Sequence, residues 1–159
     1  MHASRLTPRE DRLRVMLVDD HPIVLAGLKS FLRDASGVDV VATAANADEA
    51  SGRASHLRPD VFVIVLSPST VDPVGLVRGL KSQFADVAVL VLTLDPSWTS
   101  SKELAAAGAN AFMAGNAGRD ALLETLDQLR ADADTGAAGH RAARRRSSAL
   151  ELPGLALAP

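Results

Sequence analysis

The residues in this sequence best suited to chemistry are two adjacent carboxylates and an imidazole, Asp19, Asp20 and His21. Adjacent carboxylates raise each other's pKa unless a cation lies nearby. A hard divalent cation such as Mg2+ takes oxygen ligands from one or two carboxylates plus water. Two interpretations are therefore open: a metal site at Asp19 and Asp20, or a solvated pair in which Asp20 caps the helix that follows. No second His or carboxylate stands at metal-ligand spacing from His21, so we expect a surface or cap-adjacent histidine there.

Other kinds of active site find little support in the sequence. The chain contains no cysteine, which excludes disulfides, thiolate metal sites and cysteine catalysis. No Gly-rich dinucleotide motif and no Walker lysine motif follows the first apolar run. No nucleophile with an adjacent base is apparent either. We therefore do not expect an enzyme.

Charge and hydropathy narrow the class of protein further. The 159 residues include 17 Lys plus Arg against 19 Asp plus Glu, a balance that argues against a surface devoted to nucleic acid. The sequence has one basic run, which consists of His140, Arg141 and residues 144–146. This run could bind phosphates or a membrane surface electrostatically, or it could be a solvated tail. We favour the solvated tail. The apolar runs are too short to span a membrane, and residues 1–12 lack an apolar signal region, so we expect a cytoplasmic protein.

Short apolar runs alternate with helical patterns along the chain. Continuous rather than alternating hydrophobicity indicates strands that are covered on both faces, as in a parallel sheet. The pattern therefore predicts an α/β fold with right-handed crossovers. The strong runs are Val15–Val18, Val61–Leu66 and Val87–Leu92, and the weaker runs, read as edge strands, are Val38–Ala42 and Ala111–Met113. Helix starts are predicted at Pro22, at Asn46 with Glu49, at Asp72 with Pro73, and at Ser100 with Glu103.

The domain organisation follows from the same pattern. We expect a polar N-terminal extension over residues 1–11, one domain over residues 12–132, and a disordered basic, Ala-rich tail over residues 133–159. Ligands of open α/β sheets bind beyond the carboxyl ends of the strands. The residues that follow each strand are therefore the candidates for function.

Several segments together resemble a known family. The strings RVMLVDDHPIVLAGLKSFL, RPDVFVIVLSP, VAVLVLT and LAAAGANAFMAGNA are similar to response-regulator receiver domains, most closely to the NarL/LuxR-type subfamily. The resemblance implies a flavodoxin-like, doubly wound sheet of five parallel strands in the order 2-1-3-4-5. It also implies that Asp19 and Asp20 form the acidic metal pocket, that Thr93 is the switch hydroxyl and that Phe112 is the switch aromatic.

Two departures from the family pattern bear on function. The resemblance places Val65 at the position of the phospho-accepting aspartate. It places Gly115 at the position of the family's lysine, which pairs with the phosphoryl oxygens. Valine has no lone pair with which to form an acyl phosphate or bind Mg2+. We therefore interpret the domain as a pseudo-receiver with at most weak Mg2+ binding at Asp19 and Asp20, and with no other cofactor.

Four other residues have oxygen atoms that could replace the phospho-acceptor. Ser67 and Asp95 lie near the expected carboxyl ends of strands and stay possible stand-ins. Asp60 is expected at the far end of its strand, and Asp72 is expected to cap a helix. We favour none of them over the loss of phosphorylation.

The sequence supports two functional hypotheses. The first is a receiver that acts in signalling or transcriptional control through protein interaction, without phosphorylation. We expect a homodimer through the fourth helix, fifth strand and fifth helix, with Trp98, Ala105 and Ala106 at the contact. In the alternative interpretation Trp98 folds back over the phosphorylation pocket and fills it, which we call the plug. The second hypothesis is a receiver whose emptied pocket, near Asp19, Asp20, Val65 and Gly115, binds an organic metabolite. Because no helix-turn-helix is recognised after the domain, we expect no DNA binding by this chain.

Overall fold

A computed structural model describes residues 11–95 and 101–136 of the chain. Within these ranges strands and helices alternate along the sequence, as the apolar runs predict. The strands are β1 (Leu13–Val18), β2 (Val38–Ala44), β3 (Val61–Leu66), β4 (Ala88–Thr93) and β5 (Ala111–Ala114). The helices are α1 (Pro22–Arg33), α2 (Ala47–Leu57), α3 (Pro73–Gln83), α4 (Ser101–Ala107) and α5 (Arg119–Gly136).

The five strands form one parallel sheet in the order β2-β1-β3-β4-β5. This order confirms the flavodoxin-like fold, and the two weaker apolar runs are the edge strands β2 and β5. All six residues of β3 are buried, because this strand lies in the middle of the sheet with helices on both faces. The carboxyl ends of β1 and β3 are adjacent, since Val18 pairs with Ile64.

Two hydrophobic layers hold the helices on the sheet. Alternate residues of β3 face opposite sides, so Phe62 and Ile64 belong to one layer whereas Val63 and Val65 belong to the other. The first layer is completed by α2, α3 and α4, and the second by α1 and α5. In the second layer α5 contributes Leu122, Leu126 and Leu129, which are all buried.

Helix caps occur where the sequence predicts them, and they set the loops above the sheet. Pro22 occupies the first turn of α1. Asn46 accepts a hydrogen bond from the backbone N–H of Glu49 at the start of α2, at 2.9 Å. Asp72 likewise accepts one from the backbone N–H of Gly75 at the start of α3, at 2.9 Å. Each bond satisfies a backbone donor that the helix leaves free.

The last helix continues beyond the expected domain boundary at Asp132. It extends to Gly136, so the first residues of the expected tail are helical. Hydrogen bonds within the helix support this extension, from Gln128 to the Asp132 carboxylate at 3.0 Å and from the Thr135 hydroxyl to the Ala131 carbonyl at 3.0 Å. No helix of the described residues has the length and apolar character needed to cross a membrane.

Some predicted features lie outside the described residues. These are the extension over residues 1–10, Ser100 as a helix cap, the Trp98 contact, and the tail beyond residue 136 with its basic run. They stay predictions.

Candidate functional site

The predicted acidic residues lie just beyond the carboxyl end of β1. Asp19 is buried, with 5% of its surface exposed, and its backbone N–H donates to the Ala44 carbonyl at 3.0 Å. That bond fixes Asp19 between the ends of β1 and β2. Asp20 follows with a side chain that is 57% exposed. One carboxylate thus faces the interior and the other faces solvent.

The imidazole of His21 contacts both carboxylates. Its Nδ1 atom lies 2.9 Å from Asp19 Oδ1 and 2.8 Å from Asp20 Oδ1. The hydrogen bond to Asp19, followed by the negative charges of Asp19 and Asp20, raises the pKa of His21 above its ordinary value of 6.5. Asp20 does not cap α1 as one interpretation expected: the cap residue is His21, and its side chain makes no capping bond. The exposed side chain of His21, next to the helix start, agrees with the expected cap-adjacent position.

Two buried polar atoms near the strand ends have no hydrogen-bond partner among the described residues. They are Oδ2 of Asp19 and Oγ1 of Thr93. Thr93 is the last residue of β4 and pairs with Leu66 of β3. Buried polar groups are normally satisfied, because an unpaired one costs about 1–3 kcal/mol of folding free energy. Both atoms therefore keep hydrogen-bonding capacity that the described residues do not use.

The end of β3 is apolar where the resemblance expects an acidic residue. Val65 is 4% exposed and packs in the layer covered by α1 and α5. Two positions further, Ser67 is 6% exposed, and its hydroxyl lies 2.7 Å from that of Ser69. Its backbone N–H donates to the Thr70 hydroxyl at 3.0 Å. Ser67 is thus held within its own loop.

The three carboxylates that could replace the phospho-acceptor lie at different ends of the strands and helices. Asp60 precedes β3 at the opposite edge of the sheet, where it accepts a hydrogen bond from the Arg14 backbone N–H at 2.9 Å. Asp72 caps α3, as predicted, in a left-handed conformation with φ of 51°. Asp95 follows β4 by two residues and is half-buried.

A cavity of about 450 Å³ opens beside Asp19. Asp19, Asp20 and Val65 line it, as the metabolite hypothesis expects, but Gly115 and Thr93 are not among its lining residues. The cavity extends the other way, under the loops that precede α2 and α3. Its remaining lining residues are Val18, Ala45, Asn46, Ala47, Asp48, Ser69, Thr70, Val71, Asp72, Gly75 and Leu76. The sequence analysis missed most of these, although the segments after β2 and β3 had to lie at this edge of the sheet.

Gly115 lies apart from this cavity because the side chain of Leu94 covers it. A Cβ atom at position 115 would be 2.7 Å from Leu94 Cδ2 and 3.5 Å from the Thr93 carbonyl oxygen. Leu94 itself is 51% exposed. The absence of a side chain at Gly115 therefore enlarges no cavity at this point, since a leucine occupies the space. Gly115 is therefore not part of this cavity, and its expected place beside the phosphorylation site stays a prediction.

The residues expected at a dimer contact are accessible where the structure describes them. Ala105 and Ala106 are exposed on α4, whereas the neighbouring Ala107 is buried against the sheet. Phe112 is 37% exposed on the edge strand β5. We call the exposed parts of α4 and β5 that carry these residues the α4–β5 surface.

Comparison with known proteins places this geometry in a family. The sequence model of the family "Response regulator receiver domain" matches residues 15–127 of the chain. The chain is 28% identical over 120 residues to a nitrate/nitrite response regulator protein homolog of Haemophilus influenzae, an alignment that covers 76% of this chain and 58% of that protein. It is 33% identical over 92 residues to the response regulator protein VraR of Staphylococcus aureus, which covers 58% of this chain and 43% of VraR. The chain thus spans about half the length of these relatives.

The solved structures support the same family. A two-component response regulator of the LuxR family from Aurantimonas sp. SI85-9A1 has a TM-score of 0.69 and 27% sequence identity, over 76% of this chain and 86% of that one. The chemotaxis response regulator CheY4 of Vibrio cholerae has a TM-score of 0.63 at 27% identity, over 74% of this chain and 98% of that one. With this sheet order and an acidic pair after β1, the chain belongs to the response regulator receiver domain family.

Proposed function

We propose that this receiver domain is an atypical one that works in two-component-type signalling or transcriptional regulation without being phosphorylated. The observation that carries the proposal is Val65, a buried apolar side chain at the end of β3 that faces the hydrophobic layer. The resemblance to receiver domains implies that Val65 stands in place of the phospho-accepting aspartate. A valine side chain offers no nucleophile for a phosphoryl group.

The surroundings of Gly115 support the proposal independently. Phosphoryl groups on proteins need a positive charge to hold their oxygens. The resemblance expects a lysine at this position, but the chain has a glycine there, and Leu94 covers it. Neither of the two groups that make and hold the acyl phosphate is present at its expected position.

The Mg2+ that family members bind fits this site only in part. Asp19 and Asp20 supply carboxylate oxygens, and together with His21 they offer three ligand atoms within 4.8 Å of one another. Val65 supplies no oxygen, and Nδ1 of His21 already contacts one oxygen of each carboxylate. Mg2+ prefers a nearly octahedral set of oxygens. We therefore assign it no step in the function, and expect affinity weaker than that of an ordinary receiver.

In this proposal the domain signals through a protein contact at the α4–β5 surface. Thr93 and Phe112 lie on neighbouring strands, and Phe112 is accessible to a partner. A partner that prefers one arrangement of the Thr93 loop shifts the population toward that arrangement, in the way that phosphorylation does elsewhere. The partner is a second copy of this chain or another signalling protein.

A test of phosphorylation independence is direct. The full chain is incubated with acetyl phosphate and Mg2+, and its intact mass is measured, with an ordinary receiver treated in parallel as a positive control. We expect the mass of this chain to stay unchanged. A mass gain of one phosphoryl group, mapped to Ser67 or Asp95, would overturn the proposal.

The cavity beside Asp19 favours a second candidate function, binding of a small organic ligand. Its volume of about 450 Å³ is in the range of ligand sites, and it combines apolar side chains such as Val71 and Leu76 with polar ones. Thermal shifts against a metabolite panel test this candidate. A ligand that stabilises the chain supports it, whereas stabilisation only by a protein partner supports the first.

A further inference from the structure

The cavity beside Asp19 is unusually rich in negative charge. Four carboxylates line it, from Asp19, Asp20, Asp48 and Asp72, and its lining within the described residues includes no lysine or arginine. Asp19 is buried, whereas Asp48 and Asp72 are exposed, so carboxylates occur in both the inner and the outer parts of the cavity.

The second observation is the unsatisfied atom of Asp19. Its Oδ2 is buried and has no hydrogen-bond partner among the described residues, because His21 takes Oδ1 only. Burying a carboxylate is costly unless a cation or donor is close to it. Because Asp19 lines the cavity, a molecule bound there lies beside this carboxylate and can supply the donor once the side chain turns Oδ2 toward it.

The apolar part of the lining argues against a bare metal ion. Val18, Val65 and Leu76 share the cavity with the carboxylates. A hard cation takes its oxygens from carboxylates and water, so it would leave the valine and leucine side chains of the lining without a contact that they favour. They do suit the methylene chain of an organic cation, which buries apolar surface while its charged nitrogens meet the carboxylates.

We propose that this cavity binds an organic cation with two charged nitrogens, amine or guanidine, joined by a short apolar chain. One nitrogen donates to Oδ2 of Asp19 in the inner part, and the other pairs with Asp72 and Asp48 in the outer part. The inference rests on the second candidate function, since it names the chemical class of the ligand. Phosphorylation is not involved in it.

The same guanidinium chemistry has two sources. One is a free small molecule. The other is the chain's own basic run, with Arg141 and residues 144–146. Both bring planar N–H donors that match a carboxylate.

Agmatine, which carries a guanidine and an amine on a four-carbon chain, is the probe. Its binding to the full chain is measured by titration calorimetry, with butane-1,4-diol as the uncharged comparison. We expect agmatine alone to bind, with an affinity that falls as salt rises. Asp19→Asn should weaken binding by at least about tenfold, and Asp72→Asn by about threefold. Asp127→Asn, an exposed change on α5, is the matched control and should bind as wild type does.

Two features keep the test decisive. Asp72→Asn retains an oxygen that can accept the Gly75 hydrogen bond, and asparagine tolerates the left-handed backbone, so this variant should fold even where Asp19→Asn does not. Circular dichroism checks the folding of both. Three results would overturn the inference. The first is equal binding of butane-1,4-diol and agmatine, and the second is no binding of agmatine. The third is that the Asp19→Asn and Asp72→Asn variants bind agmatine as Asp127→Asn does.

A further variant identifies the source of the guanidinium. Replacing Arg141, Arg144, Arg145 and Arg146 together by alanine should tighten agmatine binding if the chain's own arginines occupy the cavity, and leave it unchanged if a free molecule does. Either result supports the shared chemistry. If the chain accepts no phosphoryl group and binds no agmatine, the proposed loss of phosphorylation stands and only this inference fails.

Discussion

The side chain of Leu94 lies over Gly115, with Leu94 Cδ2 2.7 Å from where a Cβ atom of residue 115 would be. A lysine at position 115 therefore has to displace a leucine before its ammonium can reach the end of β3. The displacement is feasible, because the contact is with the end of a flexible side chain. It nevertheless means that restoring the missing chemistry requires more than restoring two residues.

The first prediction concerns that restoration. Val65→Asp alone should gain little phosphoryl transfer from acetyl phosphate and should lose about 2–3 kcal/mol of stability, because it places a carboxylate in an apolar layer next to Asp19. Adding Gly115→Lys should raise the phosphorylated fraction, and adding Leu94→Ala should raise it further. Intact-mass measurement and urea unfolding give the two readouts. Equal phosphorylation of the double and triple variants would show that Leu94 does not obstruct position 115.

The second prediction concerns the pH dependence of the His21 contact. The pKa of His21 is raised in the folded chain, so its contribution to stability is fully present below the unfolded value near 6.5 and is lost as pH rises through the folded pKa. The difference in melting temperature between wild type and His21→Gln should therefore be largest near pH 5.5 and shrink toward pH 8. His56→Gln, an exposed change on α2, controls for the loss of a histidine. A difference that grows with pH would contradict the contact.

The third prediction compares two glycines near the same lysine. Gly108 has φ of 115°, and a Cβ atom there would lie 2.8 Å from Lys81 Cγ, whereas a Cβ atom at Gly79 in α3 would meet nothing within 4 Å. Gly108→Ala should cost about 1–3 kcal/mol through backbone strain, and Gly79→Ala should gain about 0.5–1 kcal/mol as a better helix former. Lys81 cannot move away freely, because its Nζ donates to the Val87 carbonyl at 2.9 Å and the Ala85 carbonyl at 3.1 Å. Urea unfolding of both variants measures the contrast.

The fourth prediction concerns self-association. If the α4–β5 surface joins two copies, Ala105→Glu should abolish dimer mass in light scattering, because it places like charges opposite each other across a two-fold axis. Ala26→Glu makes the same change on the exposed side of α1 and should leave the dimer intact. Trp98→Ala distinguishes contact from plug: loss of dimer mass indicates a contact, and a monomeric protein that only melts earlier indicates a plug.

The sequence predicts the framework of the site well, because long-range order here depends on strong local signals. The buried runs of β1, β3 and β4 are strands in the structure, and the Asn46 and Asp72 caps form as their residue types predict. The strand order came from the family resemblance, whereas the position of Asp19 at the carboxyl edge follows from its place directly after a strand of a parallel sheet.

The details around the site were less predictable, because they depend on loop conformation. The Leu94 side chain covers Gly115 through contacts between the ends of β4 and β5, which no local pattern encodes. The cavity lies toward the loops before α2 and α3 for the same reason. The helical turn past Asp132 was missed because that segment has no apolar stripe. Its stability comes from hydrogen bonds within the helix.

The strands differ in burial, so the free energy of local unfolding should differ across the sheet. Every residue of β3 is buried, whereas β5 has only four residues and none of them is fully buried. Amide hydrogen exchange through local unfolding should therefore be slowest at the centre and fastest at the β5 edge. A partner that binds α4 and β5 would thus contact a part of the sheet that we expect to open at a lower cost in free energy than β3 does.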